Sequence, residues 1–67
     1  MIAIIESPTP RQRNTIATAE TFIEAKALVS AMGVAFMEDD PDYDNCADAF
    51  LNDGRVLAIQ PGGFTLN

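Results

Sequence analysis

Cys46-Ala47-Asp48-Ala49-Phe50-Leu51-Asn52-Asp53-Gly54-Arg55-Val56-Leu57-Ala58-Ile59-Gln60 is the stretch on which the fold turns, and it admits two readings. Tyr43, Cys46, Ala47, Phe50 and Leu51 stand at i, i+3, i+4, i+7 and i+8, the spacing of a helical stripe, with Asp42 placed to cap it. Against this, Asp53-Gly54 precedes an apolar run, and glycine accepts the positive φ that a tight hairpin turn requires. The hairpin is the preferred reading, with strands at 46–51 and 55–60. A two-residue turn at Asp53-Gly54 then sets Phe50 opposite Leu57 and Asp48 opposite Ile59, which leaves Asp48 ill-fitting. Pro61-Gly62-Gly63 ends the last strand, and Phe64 and Leu66 are placed to pin the tail.

Upstream, the clearest local signal is a helix over 22–32. Thr21 and Glu24 stand three apart, as in a capping box, where each side chain satisfies an orphan backbone N–H. Phe22, Ala25, Leu28, Val29 and Met32 form one apolar stripe, and Gly33 sits where a left-handed cap belongs. Met1–Glu6 is apolar and rich in isoleucine, and reads as a strand. Ser7-Pro8-Thr9-Pro10 breaks it, because each proline removes a ladder donor. Asn14–Glu20 reads as a second strand, so a loop of about seven residues closes a hairpin. Val34–Met37 is a short apolar run that returns the chain to the core.

The order strand, strand, helix, strand, strand predicts a two-layer α+β domain: a four-stranded, mostly antiparallel sheet with one helix across it (β-β-α-β-β). At 67 residues the chain is one small domain, 1–67. The predicted core is Phe22, Leu28, Val29, Met32, Phe50, Leu57 and Ile59.

Composition excludes much chemistry. There is no histidine, so neither a Ser-His-Asp nor a Cys-His arrangement exists. The single cysteine, Cys46, supplies neither an internal disulfide nor a zinc set; it reads as a small buried apolar residue, able at most to join two chains. Paired carboxylates remain, but so small a domain has little room for a pocket of several hundred cubic ångströms. No catalytic residue, metal or cofactor is expected, and the protein reads as a non-enzyme. The longest apolar run falls far short of the roughly 20 residues of a membrane span. A formal charge of -6 opposes direct nucleic-acid binding, because only Arg11 and Arg13 cluster. These features point to a small acidic cytoplasmic protein, a monomer or weak homodimer.

Charge supplies the positive signal. Glu38, Asp39, Asp40, Asp42, Asp44 and Asp48 place six carboxylates in eleven residues, and no Lys or Arg occurs from Ala27 to Gly54. One use of such a stretch is solubility; another is docking to a basic partner, since a one-sign patch steers association. Extended at about 3.3 Å per residue, 38–48 would span roughly 36 Å with about half the charge density of one DNA strand, a partial mimic only. A calcium reading places Asp40, Asp42 and Asp44 at loop positions 1, 3 and 5 and Asp48 at position 9, with Asn45 in place of the usual glycine. Leu51 falls where the bidentate glutamate of position 12 belongs, which argues against a specific site.

The Thr21–Met32 helix, the Glu38–Asp48 acidic stretch and the Asp53-Gly54…Gln60-Pro61 hairpin together give a whole-chain pattern. It resembles the small acidic proteins of phages and other mobile genetic elements, and among them looks like an anti-CRISPR inhibitor. The resemblance rests on shape and charge, so no binding residue is carried over by position. It implies a stoichiometric inhibitor, in the host cytoplasm, that covers a basic surface of an RNA-guided interference ribonucleoprotein where target DNA would sit. The competing expectation is an acidic interaction module or assembly subunit, and the third a weak calcium-binding loop.

Overall fold

The computed structural model describes residues 1–9 and 12–63. Its elements are β1 (Ile2–Thr9), β2 (Gln12–Ala19), α1 (Phe22–Ser30), β3 (Val34–Asp39), β4 (Ala47–Leu51) and β5 (Val56–Pro61). The sheet has five strands in the order β2-β1-β5-β4-β3, and every neighbouring pair is antiparallel. The class is α+β, as the sequence implies, with one strand more than expected. The connection through α1 leaves one edge of the sheet at β2 and returns at the opposite edge as β3.

The extra strand is Val34–Asp39, where the sequence shows only a short apolar run. Period-2 alternation is broken there, because Val34 pairs with Leu51 but Phe36 pairs with Phe50, leaving Ala35 bulged. The half-buried residues Val34 and Met37 therefore stand three apart rather than two. The other edge carries a similar irregularity: Ile4 pairs with Ala17 and Ile5 with Thr15, so Ile16 is the extra residue. Bulges on both edge strands disturb the rows of free N–H and C=O groups that would otherwise template pairing with another chain. β1 and β2 also run further than their sequence signal, through Pro8 to Thr9 and from Gln12, so the seven-residue loop is not formed. Arg11 and the tail residues Phe64 and Leu66 lie outside the described residues.

α1 begins as its caps dictate. The Thr21 hydroxyl accepts from the Glu24 N–H at 3.2 Å, and the Glu24 carboxylate accepts from the Glu20 N–H at 3.3 Å. The second bond goes one residue beyond the usual capping-box partner. The helix ends at Ser30 instead of 32. The Met32 and Gly33 N–H groups donate to Val29 and Ser30 three residues back, and Gly33 turns the chain at φ +90°. Ala25 and Val29 are the buried positions of α1, set against Ile2, Ile4, Leu57 and Ile59. Phe22 is partly buried against this core, but Leu28 is 46% exposed and Met32 is exposed as well, which corrects the expected stripe. The helix approaches β1, β2 and β5 through the two small residues, so its larger apolar side chains fall to the flanks.

The second hairpin forms, and the helical alternative for 43–51 does not; its register, however, is displaced by one residue. The turn is three residues, Asn52-Asp53-Gly54, because the Gly54 N–H donates to the Leu51 carbonyl and the Leu51 N–H to the Arg55 carbonyl. Gly54 takes φ +92°, the left-handed position that closes such a loop. Asp53 accepts from the Arg55 N–H at 3.0 Å and from its Nε at 2.9 Å, bracing the turn. Asp48 consequently pairs with Ala58, Ala49 with Leu57 and Phe50 with Val56. A one-residue shift reverses the face of every side chain on one strand relative to its partner. Ala47, Ala49 and Leu51 join Leu57 and Ile59 in the core, while Asp48 and Phe50 point away from it. Asp48 is thus no misfit, and Phe50, expected in the core, is 39% exposed.

The corrected core makes two predictions. Leu57→Ala should cost about 2–5 kcal/mol, while Leu28→Ala should shift the urea midpoint only slightly, since its side chain already meets solvent. Gly54→Ala meets no atom with its new Cβ, so its loss of about 1–2 kcal/mol should come from the left-handed backbone alone.

Candidate partner-binding surface

The six carboxylates of 38–48 do not act as one line. Glu38 and Asp48 are direct cross-strand partners on β3 and β4, so the segment doubles back on itself. The Cα atoms of the described residues extend 27 Å along the longest principal axis, less than the roughly 36 Å of the extended form. Any imitation of nucleic acid is a compact patch and not a row of phosphates.

Within that patch the carboxylates divide by role. Asp39 points toward the helix and pairs with Lys26 at 2.9 Å; the Lys26 ammonium also lies 4.9 Å from the Phe22 ring centroid. Asp40 accepts from the N–H groups of Asp42 at 2.8 Å and Tyr43 at 3.2 Å, and so shapes the loop between β3 and β4. Asn45 supplies the loop's positive φ of 59°, and the Asp40 N–H donates to the Cys46 carbonyl to close it. Asp42 and Asp44 are exposed on this loop. No group of three or more His, Cys, Asp or Glu able to hold a metal ion occurs among the described residues, so Asp40, Asp42 and Asp44 make no such set.

Glu38 and Asp48 are exposed on the sheet face opposite α1. Like charges placed directly across a ladder repel, so this pair costs stability in the free protein. The two described cationic side chains are engaged elsewhere: Lys26 with Asp39, and Arg55 with Asp53 at 2.9 Å and Glu6 at 3.8 Å. Two residues along the same face, Phe36 and Phe50 pair with ring centroids 5.9 Å apart and planes inclined at 35°. Phe36 is 57% exposed, and Val56, opposite Phe50, is exposed too. Composition and charge counting find the carboxylates; they miss the aromatic pair, whose position depends on the register and on the Ala35 bulge.

Elsewhere, a groove of about 740 Å³ runs beside α1, its lining including Met1, Ala19, Glu20, Glu24, Leu28 and Ala31. A domain of this size therefore does have room for such a concavity, contrary to expectation, and it explains the exposure of Leu28. A smaller cavity of about 390 Å³ lies among Phe22, Asp39, Asp40, Tyr43 and Asp44. No helix among the described residues is long and apolar enough to cross a membrane. No protein-family model, curated protein or solved structure matches the chain.

Cys46 is buried beside this patch, and its thiol pKa is raised, first by burial and then by the charges of Asp40, Asp48 and Asp44. Burial and the neighbouring carboxylates thus disfavour the thiolate, the form that reacts. In the native protein Cys46 should react with a thiol reagent such as DTNB far more slowly at pH 7.5 than after unfolding in urea. Because the folded thiol ionises at higher pH than the unfolded one, stability should be retained below the ordinary thiol range and fall as pH rises above about 8.5.

Proposed function

We propose that this protein is a non-catalytic inhibitor that binds a basic, nucleic-acid-binding surface through Glu38, Asp42, Asp44 and Asp48, with Asp39 and Asp40 serving to shape that patch. The observation that carries the reading is the Glu38–Asp48 cross-strand pair: two exposed acidic residues directly opposite each other on the ladder, neither in an ion pair with a described cationic side chain. A fold tolerates such a pair at small cost, and a basic partner converts its repulsion into attraction. The resemblance of the whole chain to anti-CRISPR inhibitors makes an RNA-guided interference complex the first partner to test, with target DNA as the competitor.

The test is displacement of labelled target DNA from such purified complexes by the intact protein at rising salt. Displacement should weaken across the physiological range, where the screening length is about 8 Å. A variant carrying Glu38→Gln, Asp42→Asn, Asp44→Asn and Asp48→Asn should fold normally and lose affinity mainly through slower association. Equal displacement by parent and variant would reduce the patch to a solubility device. Binding without displacement would favour the alternative, an assembly subunit whose acidic loop meets a basic neighbour.

A further inference from the structure

The exposed outer corner of the sheet joins two features that charge alone does not explain. Phe36 and Glu38 are two residues apart on one face of β3, and Phe50 and Asp48 are two apart on the same face of β4. Each phenylalanine is therefore about 6.6 Å along its strand from an acidic residue, measured along the backbone. Ala3, Ile5 and Gln60 on this face are buried, so its exposed apolar surface concentrates at Phe36, Phe50 and Val56. The one helix among the described residues packs on the other face.

We propose that this corner is an arginine-binding site: a guanidinium stacks on the Phe36–Phe50 pair and donates to Glu38 and Asp48. The proposal takes from the preceding section only the positive sign of the partner and adds the residue it presents. A guanidinium is planar, weakly hydrated and forked, so it can lie on a ring face while its N–H groups meet a carboxylate. A lysine ammonium is a compact, strongly hydrated charge that gains less from the rings. A second copy of this chain is a poor occupant, because it brings another -6 body and another Glu38–Asp48 pair to the same face. Nucleic acid and anionic lipid are excluded by the same sign. The occupant is thus an arginine-bearing segment of a basic protein.

The experiment is an NMR titration of the intact protein with hexa-arginine and, separately, hexa-lysine. Arginine peptide should bind more tightly, by about two- to five-fold for each stacked guanidinium. Amide shifts should concentrate at Phe36, Glu38, Asp48, Phe50 and Val56, and the arginine δ-methylene protons should move upfield under the rings. Phe36→Leu with Phe50→Leu keeps the corner apolar and removes its π faces; it should weaken arginine-peptide binding by about two- to five-fold per stacked guanidinium and lysine-peptide binding by less, so that the arginine preference shrinks. Glu38→Gln with Asp48→Asn should weaken both peptides, and Glu20→Gln with Glu24→Gln, on the far side of the domain, should weaken neither. Equal affinities for the two peptides, shifts mapping to the α1 groove, or no ring-current shift on the bound arginine would overturn the proposal. The last reads the parent protein and stands even if the double leucine variant fails to fold. None of these results depends on nucleic acid, so failure here leaves DNA displacement by the acidic patch standing, and failure of displacement leaves arginine recognition standing.

Discussion

The register of the β4–β5 hairpin is the constraint on which the rest of this small protein depends. Three residues, Asn52-Asp53-Gly54, close the turn where the sequence reading has two, and the left-handed Gly54 makes that length available. β5 is the central strand, paired on one side with β1 and on the other with β4, so a slip at this turn would be felt across the sheet. With the register as it stands, Ala47, Ala49 and Leu51 meet Leu57 and Ile59 beneath the helix layer. The same choice turns Asp48 and Phe50 outward. Core and candidate surface are two faces of one pairing decision.

That core is built from small residues at close approach. Ala25 and Val29 of α1 are fully buried, as are Ala49 and the larger Ile4, Leu57 and Ile59 of the sheet. Small side chains let the helix lie close to β1, β2 and β5, and leave Leu28 and Ile23 outside the contact. A nine-residue helix has few positions that can face one layer, so apolar residues at its flanks reach solvent or the groove instead.

The acidic stretch shows how a charge cluster is sorted by its backbone. Asp39 and Asp40 are spent on structure, one against Lys26 and one against the loop's own N–H groups, while Glu38 and Asp48 face each other unpaired by any described cation. A string of six acids in sequence is thereby reduced to a focused patch beside an aromatic pair. The result is a localised patch of charge and not a continuous row like that of a phosphate backbone.

Several features were determined by sequence alone because they depend on neighbours along the chain. The Thr21 cap, the helix that follows it, the left-handed Gly33, the turn near Gly54 and the acid-rich segment all arise from local backbone chemistry and composition. The antiparallel α+β class follows from their order. Tertiary structure decided what local chemistry leaves degenerate. Val34–Asp39 became an edge strand because β4 was there to pair with it, although a bulge at Ala35 hides the strand period. Ala25 and Val29 were buried in preference to Leu28 because the helix rotation is set by the sheet beneath, and Met32 falls beyond the helix end. The partnership of Phe36 with Phe50 and of Glu38 with Asp48 joins residues distant in sequence, and cross-strand contacts of that kind exist only once the register has been set.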